Sequence, residues 1–308
     1  MIPKRSRGYR SRDKWKKVLV TVLFGVIILV ILSFTPSIFS GFGGHRGNER
    51  RQLREFFESG AFETAFLQSK EMLINRPLDT FILTIHGFSA YQLAIAQINK
   101  FDTLSYIDDS IWSLRKALLS RENTLDGRLF YVLGKAYFHK GPEYADLAVH
   151  YLERARTSLF RAADIPEYLG LSYAALGDYR NSIAAFSEAL ADEPSDLLLF
   201  SITRSYESLE EFESAKAYLI RCLDVSRDSN TLNAARLLLG DILMKTGDLE
   251  GAEAEFIRVT EDGSDNADAH FQLGELYALQ GDLTRARAEW RRAIRIDPAH
   301  IPARRRLN

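Results

Sequence analysis

Small and large apolar positions alternate with a long, regular spacing along most of this chain. A small residue recurs at Ser110, Ala148, Ser182, Ala215, Ala252 and Ala286. Four positions later stand Leu114, Leu152, Phe186, Leu219, Phe256 and Trp290. Three further on come Ala117, Ala155, Ala189, Cys222, Val259 and Ala293. The three series advance together, one nearly constant step at a time. Intervals of four and three put all three positions on one face of a helix. The small ones let a neighbouring helix approach, and the large one fills the space between.

A second pattern lies upstream of each of these helices. Leu133-Gly134, Leu169-Gly170, Leu239-Gly240 and Leu273-Gly274 recur, with Tyr137, Tyr173, Tyr206 and Tyr277 on the same face. Glycine costs about 1 kcal/mol in a helix interior, so its return predicts close contact with a partner helix. Gly-Asp pairs at Gly177, Gly247 and Gly281 predict the turn inside each hairpin. Pro77, Pro194 and Pro298 are expected to end second helices, because proline removes a donor.

A period of roughly 34 residues predicts a stack of helical hairpins rather than one globular core. These positions resemble the tetratricopeptide repeat, with Leu-Gly-Tyr in the first helix and Ala-Phe-Ala-Pro in the second. The resemblance implies an all-α, right-handed superhelical solenoid of about seven hairpins over residues 46–300. Units are expected at 46–79, 80–121, 127–162, 163–195, 196–232, 233–266 and 267–300.

Some units depart from that pattern. The first lacks Leu-Gly and keeps Phe56, Gly60, Phe62, Ala65 and Pro77. The second has Gly87 but runs long around Gln92–Asp109, so its helices should be extended. Arg236 and His270 stand where the family prefers tryptophan, and Arg227 and Ser264 replace the closing proline. After His300 only a tail, 301–308, remains. Arg304 and Leu307 match the start of another first helix that then stops, so the last hairpin is expected to end frayed or with an open apolar face.

Charge changes the picture at the N-terminus. Residues 1–17 form a basic arm with eight Lys/Arg against Asp13 alone, while the remaining residues carry 32 basic and 40 acidic side chains. An acidic body argues against nucleic-acid binding. Val18–Phe39 is an uncharged run in which all but six positions are Val, Leu, Ile or Phe. Summed insertion free energies of roughly −5 to −10 kcal/mol suffice for a helix in a bilayer. The run predicts a transmembrane signal anchor at 18–39 rather than a cleaved leader, followed by a linker at 40–45. The basic excess before it predicts a single pass with the N-terminus in the cytoplasm and the repeat body across the membrane. By resemblance to anchored repeat proteins, the membrane is expected to be a bacterial inner membrane, with the body on its periplasmic side.

Catalytic chemistry is not visible. The sequence holds no P-loop, GxSxG, HExxH or CxxC. The six histidines are scattered over different units, and Cys222 sits where most sister units have alanine, so neither a metal, a cofactor nor an enzyme is expected. Asp262–Asp268 reads as a polar turn.

The resemblance implies a protein or peptide partner in a groove lined by first helices. Carried onto this chain, the groove positions are Phe81, Phe88 and Tyr91; Arg128, Tyr131, Lys135 and Phe138; and Phe200 and Arg204. Aromatic and arginine anchors dominate such binding, and Lys135 among the aromatics suits one acidic group. The expected function is a membrane-tethered scaffold or adaptor for envelope-complex assembly, translocation or client holding. The alternatives are a self-associating structural component and a regulatory subunit of an envelope enzyme.

Overall fold

The computed structural model describes residues 45–119, 126–192, 195–261 and 265–307. The arm, the expected anchor and the linker up to residue 44 lie outside them, as do Pro194 and residues 262–264. Among the described residues there are fifteen α-helices, one short 3-10 turn and no strand. No helix among them is long and apolar enough to cross a membrane.

Contacts divide the chain into two compact units, joined after Ala117. The first holds α1 (His45–Glu58), α2 (Phe62–Asn75), α3 (Thr80–Ala96) and α4 (Lys100–Ala117). The second holds α5 (Gly127–Lys140), α6 (Ala145–Thr157), α7 (Ile165–Ala175), α8 (Tyr179–Asp192), α9 (Asp196–Ser208) and α10 (Phe212–Val225). It continues with α11 (Ser229–Thr246), α12 (Leu249–Glu261), α13 (Ala267–Leu279), α14 (Leu283–Ile296) and α15 (Ile301–Leu307). In both units the helices pack mainly on their immediate neighbours in sequence, as in a solenoid.

The turn inside a hairpin is built from a few local bonds. Gly177, Gly247 and Gly281 take φ of 74°, 88° and 83°, a region open to glycine at little cost. The following amide then reaches back across the turn: Asp178 N–H donates to Tyr173 O at 2.9 Å, Asp248 to Leu243 O at 2.8 Å and Asp282 to Tyr277 O at 2.8 Å. The aspartate caps the next helix, accepting from Asn181, Gly251 and Arg285 N–H respectively. Gly60 makes the same turn in the first hairpin at φ 79°. In the fifth hairpin Glu210 occupies this place at φ 59°. The third hairpin instead turns through Gly141 and a 3-10 turn at Pro142–Tyr144.

Once the turns set the helices antiparallel, the small–large–small face closes against the first helix. All eighteen residues of that pattern are at most 6% exposed. Close approach is visible at the glycines. A Cβ on Gly134 would lie 2.6 Å from Leu152, on Gly170 2.5 Å from Phe186, on Gly240 2.3 Å from Phe256 and on Gly274 2.4 Å from Trp290. The helices of the second hairpin run to 17 and 18 residues, against 14 each in the first.

Two features differ from what the spacing suggested. α11 begins at Ser229, ahead of the expected unit start, because Asp228 accepts from Thr231 N–H at 2.8 Å and caps the helix there. Residues 301–307 are not frayed. They form α15, packed on α14, with Ala303 fully buried and Leu307 against the core. His300 holds its start, accepting from Ala303 N–H and meeting Asp268 at 3.0 Å. Arg306 makes two bonds to Glu275 and lies 5.9 Å from the Trp290 ring centre.

Arg236 and His270, which stand where the repeat pattern would place tryptophan, are both paired. Arg236 meets Glu255 at 3.3 Å and His270 meets Glu289 at 2.7 Å. Both pairs have the same separation in sequence, so one polar contact replaces the large ring twice.

Candidate interaction surface on the first helices

In the second unit the candidate residues fall into two groups. One is centred on Lys135. Asp164 precedes α7 at a position where an aspartate would normally cap the helix, yet it makes no capping bond. Its carboxylate is taken by α5. Tyr131 O–H lies 2.8 Å from both oxygens, and Lys135 Nζ donates at 2.8 Å to Oδ2 and at 3.0 Å to the Tyr131 hydroxyl. The Lys135 ammonium stands 4.4 Å from the Tyr168 ring centre and 4.9 Å from that of Tyr131. Phe138 meets Tyr168 edge-on at 5.1 Å, and Phe160 packs on Tyr131 at 5.4 Å.

This cluster fills its own space. The Lys135 side chain is 13% exposed and its charge is matched by Asp164, so it is not a ready acceptor for an acidic ligand group. Burial raises the Tyr168 pKa despite the adjacent ammonium. Burial also lowers the His139 pKa, and the Lys135 charge adds to that effect. Arg128 turns back onto its own helix start, bonding Asp126 at 3.1 Å. The cluster thus clamps the third hairpin to the fourth.

The second group runs across α9, α11 and α13. Leu197 is 63% exposed, Phe200, Met244 and Phe271 are half-buried, and the Arg204 side chain is 60% exposed. A chain of charges links α9 to α11: Arg204 to Glu207 at 3.3 Å, Glu207 to Lys245 at 2.9 Å, and Lys245 to Asp241 at 2.7 Å. Burial works against the Lys245 charge, but the bonds to Asp241 and Glu207 outweigh it and raise the pKa. This face is mixed in polarity and partly exposed. It can supply side-chain hydrogen bonds at Arg204 and apolar contact at Phe200, Met244 and Phe271.

The first unit places its candidates differently. Phe88 and Tyr91 are each 4% exposed, so they are core residues rather than groove anchors. Phe88 packs on Phe57 at 6.2 Å. Phe81 is half-buried beneath the guanidinium of Arg50 at 5.5 Å. The groove positions carried over from the repeat pattern therefore divide into hairpin cores, an internal clamp and one open face. Asp164 and Tyr168 give no sign of their roles in the sequence, because their partners lie two helices away on α5, and the Glu207–Lys245 bond is hidden in the same way because it joins α9 to α11.

Among the described residues no group of three or more His, Cys, Asp or Glu is placed to hold a metal. Cys222 is fully buried, and burial pushes its thiol up to about 11. Its Sγ–H donates to Asp196 O at 3.4 Å.

Comparison with known proteins agrees with this geometry. Two tetratricopeptide repeat family models match, one over residues 198–229 and one over residues 237–301. A curated relative, the Protein CTR9 homolog of Arabidopsis thaliana, is 29% identical over 105 residues, which is 34% of this chain and 10% of that protein. Among solved structures, the C-terminal part of a TPR repeat-containing protein from Cytophaga hutchinsonii superposes with a TM-score of 0.59 at 14% identity, covering 84% of this chain and 99% of that one. PilW, titled a widely conserved type IV pilus biogenesis factor, gives 0.55 at 20% identity over 72% and 98% of the two chains.

Proposed function

Taking tetratricopeptide repeats as the premise, we propose that this chain is a membrane-tethered scaffold that binds protein or peptide segments along its first helices. The observation that carries the reading is the open face of α9, α11 and α13. There Leu197, Phe200, Met244 and Phe271 leave apolar surface beside the exposed Arg204. An enzyme would need a convergent base, nucleophile and anion-stabilising group, and the side chains of this face are instead a mixed polar and apolar lining.

Tethering is the part that rests on sequence. The apolar run Val18–Phe39 and the basic arm before it support one transmembrane pass, with the repeats outside the cytoplasm of a bacterium. Confining repeats to a thin layer raises the effective concentration of weak partners, which suits assembly of envelope complexes or the holding of clients.

Site-specific photocrosslinking tests the binding surface. A crosslinker at Arg204 or Phe200 in the full membrane-bound chain should capture a protein partner, and one at Arg115 on α4 should not. Equal capture at all three positions would remove the open face from the argument. Topology is tested separately: a C-terminal alkaline phosphatase fusion should be active, and an inactive one beside a fluorescent cytoplasmic reporter would reverse the orientation.

A further inference from the structure

Charge is segregated sharply within the second unit. Residues 118–282 carry 15 basic and 29 acidic side chains, a net charge of −14. Residues 283–308 carry eight basic and two acidic ones, a net charge of +6. All eight basic residues of that end are arginine, none lysine. Three of them are accounted for inside the fold: Arg285 bonds Asp282, Arg292 bonds Glu289 and Arg306 bonds Glu275.

The other five make no such bond among the described residues. Arg287, Arg291 and Arg295 are exposed on α14, and Arg304 and Arg305 are exposed on α15, which packs against it. None has an ion-pair partner among the described residues. On α14 they recur every fourth residue, so they form a stripe with about 6 Å between successive positions. The opposite face of α14, through Ala286, Trp290 and Ala293, is buried in the hairpin, so the stripe is held on a rigid support. This ridge lies on a second helix, away from the open face of the first helices.

We propose that this arginine ridge docks a short acidic segment of a partner protein, its carboxylates repeated at the spacing of the stripe. Three considerations select that occupant. Guanidinium groups bind carboxylates through two parallel hydrogen bonds, which lysine does not do. A helix with glutamate at every fourth position presents carboxylates at that same interval. The rest of the unit is strongly acidic, so an extended polyanion or a flat anionic bilayer that overran the ridge would meet repulsion. A short acidic segment confined to the ridge would not. The ridge is separate from the first-helix face, and its failure would leave the Arg204 crosslinking result untouched.

The test uses the full chain in nanodiscs of neutral lipid. The probe is a fluorescein-labelled helical peptide of repeated Glu-Ala-Ala-Ala units, followed by anisotropy. The expected result is saturable binding that weakens at least tenfold in R287Q/R291Q/R295Q and falls as salt rises. Substitution of the exposed Arg221 on α10, R221Q, should change it by less than twofold. All three ridge positions are exposed, so the triple variant should keep the parent helix signal and urea midpoint. No binding, or an unchanged affinity in the triple variant, overturns the proposal. So does an equal loss in R221Q, or tighter ridge-dependent binding of anionic vesicles or single-stranded DNA than of the peptide.

Discussion

Gly240 and Phe256 touch so closely that a single methyl group on the glycine would sit 2.3 Å from the phenylalanine ring. The contact joins α11 to α12 and fixes how near the two helices lie. Replacing Gly240 with alanine should therefore cost about 1–3 kcal/mol, despite the better intrinsic helix propensity of alanine. Urea unfolding measures it. Adding F256L to G240A should recover part of the loss, and independent, additive effects would show that the two residues do not share the strain.

Glu210 is the converse case. It holds φ 59° in a turn where sister hairpins use glycine. A side chain in that region costs of order 1 kcal/mol, so E210G should stabilise the protein by a similar amount. The amide bonds of the turn are already present, with Glu211 N–H on Tyr206 O at 3.0 Å. A lowered urea midpoint would mean that the Glu210 side chain does more than occupy the turn.

Removing Asp164 should be more damaging than removing Lys135 and Asp164 together. The ammonium would be left 13% exposed, facing two aromatic rings without its carboxylate. Because Asp164 keeps 35% exposure, the loss in D164A is expected at about 1–3 kcal/mol rather than the larger cost of a fully buried pair. K135M/D164A should recover some of it, and a double-mutant cycle with no coupling would dissolve the clamp.

Acid should weaken the fold through two histidines. Burial lowers the His86 pKa first, with Lys70 adding and Asp109 and the Phe66 carbonyl opposing. Its Nδ1 lies 2.9 Å from Ser69 Oγ and its ring stacks on Phe66 at 4.5 Å. His139 is lowered by burial and by Lys135. For both, the unfolded chain binds more protons than the folded one, so stability rises with pH. Their contribution is complete above the usual histidine value of about 6.5 and fades as pH falls through it. Urea midpoints at pH 7.5 and 5.0 should show a drop that shrinks in H86F.

The Cys222 thiol, pushed up to about 11, should be inert in the folded state. At pH 8 roughly one thiol in a thousand would be ionised even if it were reachable. Modification by a disulfide reagent should follow global unfolding. A fast native reaction would place the residue at the surface.

Much of the fold was legible because its determinants are local. The Gly-Asp turns, the small–large–small face and the Leu-Gly pairs act within one hairpin, and their spacing survives in a single sequence. Arg236 and His270 were visible as departures, but their partners Glu255 and Glu289 were not, since they stand on the facing helix. The interaction surface was harder to read for the same reason. Phe81 and Leu197 occupy the same position in their units, and only tertiary packing leaves one half-buried and the other exposed. Lys135 looked like a ligand contact because nothing nearby in sequence announces Asp164 as its partner. The start of a further helix at Arg304 and Leu307 is visible in the sequence, but its order is not, because so short a helix has little propensity of its own and packs on α14.

The turn chemistry has a genetic corollary. Each Gly-Asp reversal is closed by amides and carbonyls of its own immediate stretch of chain, so a hairpin brings its own folding instructions wherever it is copied or excised. Loss of one whole period from the coding sequence would bring like faces into register again, as the matched pairs Arg236–Glu255 and His270–Glu289 illustrate. Such a chain behaves as a ruler whose length can be edited in steps of one module.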